Sequence, residues 1–582
     1  MKKGIGMKYV GCVMIGAVAI LCSCRDELRP DLSPAQEGKT NIIVNLTVER
    51  SGSKSPASRS PLDPNEDEYT LGFTDAENQI NSLTLIMMRI DASGNEVFEA
   101  SRTISSPADT NNDGDYDVKF QLETNDRGVK HFYLGANLSE NHLASFRTQD
   151  KVFDAGEEES GHKSGHNIVG ALMNVKHSQE LDGNIGEGSN IVMTAPILVK
   201  NRQDITIPSG STEETIRIDN SVKLTRVVAK VLLTCECKSE KGIDYVNVED
   251  QHSKMNGNGW IRLADVNYML NVLNRKTYLN YRIEDDNLID PNYAMGELVS
   301  LREEGGGYGI TDLEAYQREF LYYDTQAMVE MLNKDVQTHE GKTPEACTSR
   351  IAIKYDADKM KVDETTNMGN ENHYTEGLYC TENTVYNDMT FDKDADFQSA
   401  IRYVTTRVMI GAKYTPKQIW NGEDAPVQAS TEAEAQGILD KVEDVDNPLE
   451  PVTYLAGTFW RDSEGNYYSL KGMKKKLKEA PKTEFSRYDG GWGYYYTYID
   501  GDANREGTID YANQTRWGIK RNHYYILKVD KIVAPGSPFP GNETMRIHSE
   551  LVDWVDKGSS EVEIKVPQQS ETAQPWERTV FT

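Results

Sequence analysis

The sequence predicts a mainly β protein of antiparallel sandwich type, organised in more than one unit. Three observations predict it. First, apolar residues recur at a period of two, most cleanly where Ile42, Val44, Leu46 and Val48 point one way and Ile43, Asn45, Thr47 and Glu49 the other. Second, the strand-like runs are short, are separated by loop signals, and show no sustained alternation with helices, as a parallel sheet would need. Third, 582 residues are enough for more than one core, and Glu240-Lys241-Gly242 breaks the run of strands in two.

The N-terminus reads as a targeting segment and lies outside the fold. Lys2, Lys3 and Lys8 stand around the start of an apolar run at 9–21 that is too short for an ordinary membrane-spanning helix. Leu21-Cys22-Ser23-Cys24 follows, with Leu three places and a small residue one place before a cysteine. That resembles a bacterial lipobox, so residues 1–24 are expected as signal peptide and lipobox, with Cys24 as the lipid-bearing new N-terminus and the lipid as the membrane anchor.

Residues 25–59 are expected as a propeptide. A polar tether at 26–39 leads to the alternating strand, and the strand leads to a Ser, Gly, Lys, Pro and Ala segment that carries Arg50 and Arg59. Such a segment cannot bury enough surface to stay ordered and is where proteases cut. The simpler reading is a first strand and its linker. The sharper one is a removable first strand, Ile42, Val44, Leu46 and Val48, that fills a groove until cleavage after an arginine frees it. Arg59, set in Ser/Pro/Ala sequence and followed by Ser60, is the expected cut; Arg50, two residues past Val48, is the alternative.

A first domain is expected over 60–240. Its strands are read at 80–90, 96–104, 117–122 and 129–136, with a short helix at 142–146 and short strands at 189–196 and 215–218. The strongest strand of this half is read over 222–237, with Val227, Ala229, Val231, Leu233, Cys235 and Cys237 on one face. A second domain is expected over 241–534. There, 260–273 reads as a strand, 314–332 has helical spacing, 345–396 is polar and irregular, and 402–414 is a strong strand. A surface helix is read at 432–442, and strands at 453–460, 467–470, 493–499 and 522–532. Pro and Gly at 535–541 make a stiff, extended spacer, and the arm at 535–582 carries further strand candidates at 543–555 and 561–566.

The chemistry is sparse. A net charge of -29 argues against nucleic acid, whose phosphates call for Lys and Arg. Cys235 and Cys237 are too close for an ordinary bridge and read as buried small hydrophobes, while Cys347 and Cys380 are a pair that an exported protein could bridge. Asp109, Asn111, Asp113 and Asp115 begin like a calcium loop, but Phe120 stands where a bidentate Glu belongs, and a solvated hairpin turn explains the same residues. His162 and His166 have neither a helix nor a Glu to make a metal site. No nucleophile elbow and no phosphate loop occur, so nothing supports an enzyme, and no cofactor is expected. Trp492 to Tyr498 reads either as a sugar-stacking platform or as a strand with alternate Tyr in the core.

In order and motif the chain resembles a fimbrillin, a shaft (major) subunit of the protease-assembled type V fimbriae of Bacteroidota, on the short-fimbria side of the family. The residues that carry the resemblance run from the lipobox at Cys24 through the strand at 42–48 and K-H-F-Y-L-G-A-N at 130–137 to S-V-K-L-T-R-V-V-A-K at 221–230. T-T-R-V-M-I-G-A-K-Y-T-P at 405–416, E-G-N-Y-Y-S at 464–469, K-R-N-H-Y-Y-I-L-K-V at 520–529 and the terminal M-R-I-H-S-E-L-V-D-W at 545–554 complete it. The resemblance implies two transthyretin-like β-sandwich domains in series, export as an outer-membrane lipoprotein, and surface cleavage by an arginine-specific protease. It implies that the vacated groove is filled by the C-terminal arm of the next copy, with Met545, Ile547, Leu551, Val562 and Ile564 as the donor residues. The expected partners are copies of itself in a head-to-tail filament and accessory fimbrial subunits, and the expected roles are adhesion and biofilm. The insertions at 314–396 and 432–442 and the tail at 567–582 depart from the family pattern. Two other readings compete: a surface glycan-binding lipoprotein, and a tip or anchor subunit of the same fimbria.

Overall fold

A computed structural model describes residues 40–49, 79–92, 94, 96–108, 116–125, 128–148, 168–170, 191–195, 205–208, 212–218, 222–237, 245–249, 258–262, 266–280, 282–284, 287–290, 299–301, 308–310, 320–323, 325–333, 348–350, 352–355, 377–383, 405–441, 455–499, 519–531, 535–539 and 546–553. The fold is mainly β, with antiparallel pairing dominant and four short α-helices among the described residues. Cys24, Arg50, Arg59, the Asp109–Asp115 loop, Met545, Val562 and Ile564 lie outside the described residues.

The first strand, β1 (Thr40–Glu49), is followed by β2 (Ser82–Ile90), β3 (Glu96–Ser105), β4 (Tyr116–Thr124) and β5 (Val129–Ala136). Helix α1 (Glu140–Thr148) comes next, where a shorter helix was read. Short strands then follow: β6 (Ile168–Gly170), β7 (Met193–Thr194), β8 (Ile205–Thr206), β9 (Glu213–Arg217), β10 (Val222–Lys223) and β11 (Thr225–Arg226). One sheet is built of β4, β1 and the pair β9 and β10; the other runs β11-β7-β5-β2-β3, with β8 also on β5. The apolar faces of β1, β2, β4 and β5 meet in one core of buried Ile42, Val44, Leu46, Leu83, Leu85, Phe120, Leu122, Phe132 and Leu134. Strand β4 alternates buried and exposed along its whole length, as a sheet with one wet face should.

The long strand read over 222–237 is three pieces. It breaks at Leu224 and Val227 into β10, β11 and β12 (Val228–Cys237), and only the first two belong to the N-terminal sheets. Strand β12 pairs with strands from the far end of the chain, and its Ala229, Val231 and Leu233 lie in the second core. The boundary between the cores therefore falls near Val227, ahead of the expected 240/241. Lys241 and Gly242 looked like a break because local composition cannot report which sheet a strand joins.

The second core is larger. Its strands are β13 (Tyr245–Glu249), β14 (Asn258–Arg262), β15 (Asn267–Asn271), β16 (Leu273–Asn274) and β17 (Lys276–Tyr278), then the hairpins β18 (Arg282–Glu284) with β19 (Asn287–Ile289) and β20 (Val299–Leu301) with β21 (Tyr308–Ile310). The strand read at 260–273 is thus several short ones. Strand β22 (Phe320–Leu321) precedes helix α2 (Thr325–Asn333), so the helix is shorter than the expected 314–332, and Phe320 pairs with β16 instead. Helix α2 is no outer insertion: Ala327, Met328, Met331 and Leu332 are buried, and Asn271 Nδ2 and Asn267 Nδ2 donate to Met328 Sδ and to the Leu332 carbonyl.

The stretch read as irregular at 345–396 supplies β23 (Ser349–Arg350), β24 (Ala352–Tyr355) and β25 (Leu378–Thr381). Cys380 on β25 is a free, fully buried thiol, so the bridge to Cys347 is not made, and burial pushes its pKa upward. Strand β26 (Arg407–Pro416) is central to the large sheet, between β14 and β15 on one side and β32 (Trp492–Tyr498) on the other. Between them lie β27 (Gln418–Ile419), β28 (Val427–Gln428), α3 (Glu432–Leu439), β29 (Phe459–Asp462), β30 (Tyr467–Tyr468), α4 (Leu470–Glu479) and β31 (Phe485–Tyr488). Helix α3, expected as a surface helix, is capped by Thr431: its Oγ1 accepts from Glu434 N, and Glu434 Oε2 reaches back to accept from Ser430 N, one residue before the cap. The strand expected at 467–470 is present at Tyr467–Tyr468, and helix α4, which follows it, had no counterpart among the expected elements. Strands β33 (His523–Lys531) and β34 (Arg546–Asp553), the last among the described residues, lie in the sheet β24-β12-β33-β34.

Candidate functional site

The candidate site is the seat of β1. Along its ten residues the inward side chains Ile42, Val44 and Val48 are fully buried and Leu46 nearly so, while Ile43, Asn45 and Thr47 are half-buried on the outer face. On one side β4 runs antiparallel, and the registers Ile42↔Leu122, Val44↔Phe120, Leu46↔Val118 and Val48↔Tyr116 place apolar partners on the same face. On the other side β9 and β10 run parallel, with Val44↔Ile216 and Val48↔Val222. The ladder extends past the strands, with Asn41 N donating to the Thr212 carbonyl and Ile218 N to the Asn45 carbonyl at 3.0 Å each.

This is an interior seat. The structure places a strand on each side of it. Among the described residues, β4, β9 and β10 pair with no strand other than β1. The first strand therefore joins two parts of the sheet that are otherwise unconnected by a ladder.

The C-terminal end is the second half of the site. Residues 535–537 do not form a free, extended spacer. Tyr494 N donates to the Ser537 carbonyl at 2.8 Å, Ser537 N donates to the Tyr494 carbonyl at 2.9 Å, and Tyr488 Oη donates to the Gly536 carbonyl at 2.9 Å. Two glycines make this clasp possible. A Cβ on Gly493 would stand 1.5 Å from the Pro535 carbonyl oxygen, and Gly536 has φ +80 with Tyr494 backbone 2.9 Å from its absent Cβ. Beyond the clasp, β34 pairs antiparallel with β33 from His523↔Asp553 to Lys531↔Arg546, as the edge of its own sheet. The second sandwich is thus not complete before the spacer, contrary to expectation. Ile547 and Leu551 lie in that ladder, opposite Val529 and Tyr525.

The motif at 520–529 sits where the two cores meet. Arg521 is buried and donates from Nη2 and Nε to Glu382 Oε2 at 2.8 and 3.1 Å, and to the Leu279 and Tyr278 carbonyls. Asn522, at φ +59, accepts from Arg226 N and Nη1 through Oδ1. A small third core of Ile86, Tyr133, Phe146, Val192, Val228, Leu279 and Tyr379 joins residues of both halves around it. Burial pushes the Glu382 carboxyl up to about 7 against the pull of Arg521, and burial pushes His142, on α1, down to about 4.

Trp492, Tyr494 and Tyr495 are buried in the second core, which leaves them unable to offer a sugar platform. No group of three or more His, Cys, Asp or Glu that could hold a metal gathers among the described residues. No helix among them is long and apolar enough to cross a membrane. Sequence reasoning missed Gly493, Gly536 and Tyr488; an isolated Gly next to Trp in a strand-like run is the signal that a second backbone comes close there.

Residues 486–574 match the family model described as major fimbrial subunit protein type IV, fimbrillin, C-terminal. That segment begins at β31 and includes β32, the clasp, β33 and β34. None of the curated proteins searched matches the sequence. Among solved structures, the chain is similar to a candidate cell adhesion protein from Parabacteroides distasonis ATCC 8503, at 10% identity and TM-score 0.39, covering 88% of this chain and 96% of that one. It is similar to a fimbrilin from Porphyromonas gingivalis W83, at 14% identity and TM-score 0.36, covering 89% and 98%. It is also similar to a C-terminally truncated tip fimbrial protein from Porphyromonas gingivalis, at 10% identity and TM-score 0.28, covering 89% and 100%.

Proposed function

We propose that this chain, a fimbrillin-family protein by its C-terminal match, is the shaft subunit of a cell-surface fimbria of the short type, polymerised by strand exchange. A fimbrial subunit is the coarse function; the export route, the cut and the exchange are the finer reading. The single observation that carries it is the seat of β1: a fully engaged interior strand whose neighbours β4, β9 and β10 pair with no other strand among the described residues. In the proposed cycle Cys24 carries lipid to the outer membrane, and an arginine-specific protease cuts after Arg59, with Arg50 as the alternative. β1 is then replaced by the C-terminal arm of a neighbouring copy through Met545, Ile547 and Leu551, or through Val562 and Ile564. The contact is head-to-tail and does not close on itself, so it propagates as a filament.

The β33–β34 ladder adds a step. An arm that donates through residues 546–553 has to leave its own sheet first, whereas one that donates through 561–566 can leave β34 in place. N-terminal sequencing of the protein recovered from the cell surface tests the reading. A start at Ser60 supports it, one at Ser51 moves the cut to Arg50, and one at Cys24 removes the mechanism. Cys24→Ala is expected to abolish lipid labelling and surface fimbriae together; normal fimbriae from that variant would refute the export route.

A further inference from the structure

The outer face of the β1 seat is charged, and β1 does not answer the charge. Asn45 of β1 lies between Lys119 of β4 and Arg217 of β9, and Thr47 lies opposite Asp117. Lys119, Arg217 and Asp117 are exposed, and with strands about 4.8 Å apart a side chain at position 45 is the direct neighbour of both cations. Neither Lys119 nor Arg217 makes an ion pair among the described residues. Thr47 Oγ1 donates to Asp117 Oδ1 at 2.6 Å. Nearer the start of β1, Ile43 lies between Gln121 and Thr215, and Asn41 between Glu123 and Glu213. The outward residues 41, 43, 45 and 47 of β1 are thus uncharged, while their neighbours read acidic, neutral, basic and acidic in that order. These side chains point away from the core, so packing of the sandwich does not call for the order.

Residues 561–566, Glu-Val-Glu-Ile-Lys-Val, carry the complementary order. With Glu563 at position 45, its carboxylate stands between Lys119 and Arg217, Lys565 meets Asp117, and Glu561 meets the neutral Gln121 and Thr215. The same register carries Val562, Ile564 and Val566 into the buried slots of Val44, Leu46 and Val48. Pro567, which has no N–H for a ladder, then falls at position 49, where β1 ends. A slip of two residues spoils the match either way. In one direction Lys565 faces Lys119 and Arg217, Glu561 faces Glu123 and Glu213, and Pro567 enters the ladder. In the other, Glu563 faces Asp117 and Ser560 takes the Val44 slot. Residues 546–553 fail on the inner face. Glu550 reaches position 45 only if Ser549 takes the Val44 slot and Asp553 the Val48 slot, and a charge buried without a partner is costly.

We propose that Lys119, Arg217 and Asp117 select residues 561–566 of a second copy of this chain as the incoming strand and fix its register in the seat. This rests on strand exchange and adds to it the donor strand, its direction and the residues that recognise it. The strand runs as β1 does, antiparallel to β4 and parallel to β9. Run the other way over the same three slots, it would set Lys565 against Lys119 and Arg217, and Glu563 against Asp117. Strand β34 keeps its place beside β33 throughout. Burial of Val562, Ile564 and Val566 holds the strand, and the charges on the wet face choose among strands and registers. Ser560 falls at the Ile42 slot, so β1 has one apolar contact more than its successor, and exchange needs the cut that lets β1 go.

The test uses the full-length chain with a protease site placed between residues 50 and 78 and nicked there, so that β1 is held without a covalent link. A labelled peptide of residues 558–568 is followed into the seat by fluorescence anisotropy, beside peptides of residues 40–49 and 543–555. The parent 558–568 peptide is expected to enter. Its Glu563→Lys/Lys565→Glu form, which has the same composition and net charge, is expected to bind about tenfold more weakly at about 50 mM salt. The difference should shrink at about 500 mM salt, where exposed charges are screened. It should reverse on a chain carrying Lys119→Glu, Arg217→Glu and Asp117→Lys. Equal binding of the parent and exchanged peptides to the parent chain overturns the proposal and leaves strand exchange standing. Entry of 543–555 in preference to 558–568 overturns it by naming another donor. A seat that takes back 40–49 and neither C-terminal peptide overturns it together with strand exchange. The exchanged peptide leaves the chain untouched, so the readout does not depend on how the triple variant folds.

Discussion

Leu46→Ala separates an inward residue of β1 from its outward neighbours, and the separation can be measured once the strand is held without a covalent link. A protease site engineered between residues 50 and 78 nicks the chain and leaves β1 in its seat. The strand is not expected to fall out, because β4, β9 and β10 have no other ladder among the described residues and leaving would dissolve their sheet. A labelled peptide of residues 40–49 should then exchange into the seat slowly. Leu46 is 4% exposed and pairs across to Val118 within the first core, so truncating it costs about 2–5 kcal/mol in transfer and cavity terms. In the peptide's dissociation constant that is about 30-fold to about 4,000-fold. Asn45→Ala, half-buried on the other face, should weaken binding by less than about tenfold, as surface changes do. Exchange is followed by fluorescence anisotropy, with the parent peptide as competitor. Equal losses for the two peptides would refute the reasoning, since the seat would then recognise backbone alone. A nicked chain that sheds β1 at once, stays folded and cannot take the peptide back would refute it more broadly.

Other outcomes follow from the remaining geometry. Gly493→Ala should force the Pro535 carbonyl away and cost about 1–3 kcal/mol of overpacking, while Tyr488→Phe removes one hydrogen bond worth about 1 kcal/mol; denaturant midpoints check both. Truncation after Gly541 removes β34 from the edge of its sheet, so the chain should fold with reduced stability and not polymerise; ordinary filaments from it would exclude the arm as donor. Glu382 and His142 should give opposite pH slopes. The Glu382 carboxyl is raised to about 7, so its contribution is full below its unfolded value near 4.5 and is lost as pH rises through about 7. His142 is lowered to about 4, so its contribution is full above about 6.5 and is lost as pH falls through about 4; each is worth about 3 kcal/mol, and unfolding of Glu382→Gln and His142→Gln across that range reads them separately.

What the sequence alone determined is local. The period of two in 42–48 announced a strand with one buried face, and β1 has that face, because alternation depends only on neighbours two apart. The strands at 80–90, 96–104, 117–122 and 129–136 were legible for the same reason, and the motif at 520–529 proved to be a strand entered through a junction of buried Arg521 and Asn522. Helix α4 was legible too, in Ser469 and in Leu470, Met473 and Leu477 at helical spacing, but it follows directly on a true strand at Tyr467–Tyr468, whose expected span ran on to 470. Only the tertiary structure decided the neighbours. That β1 lies parallel to β9, some 170 residues on, that β12 serves the second core, and that residues 535–537 are clasped to β32 all depend on pairings between distant segments. Both faces of β12 are buried from Val228 to Leu233, so its pattern named no side, and a Pro/Gly run looks extended until a backbone binds it. Periodicity tells a strand which way its side chains point; register and sheet are set by partners that no local window contains.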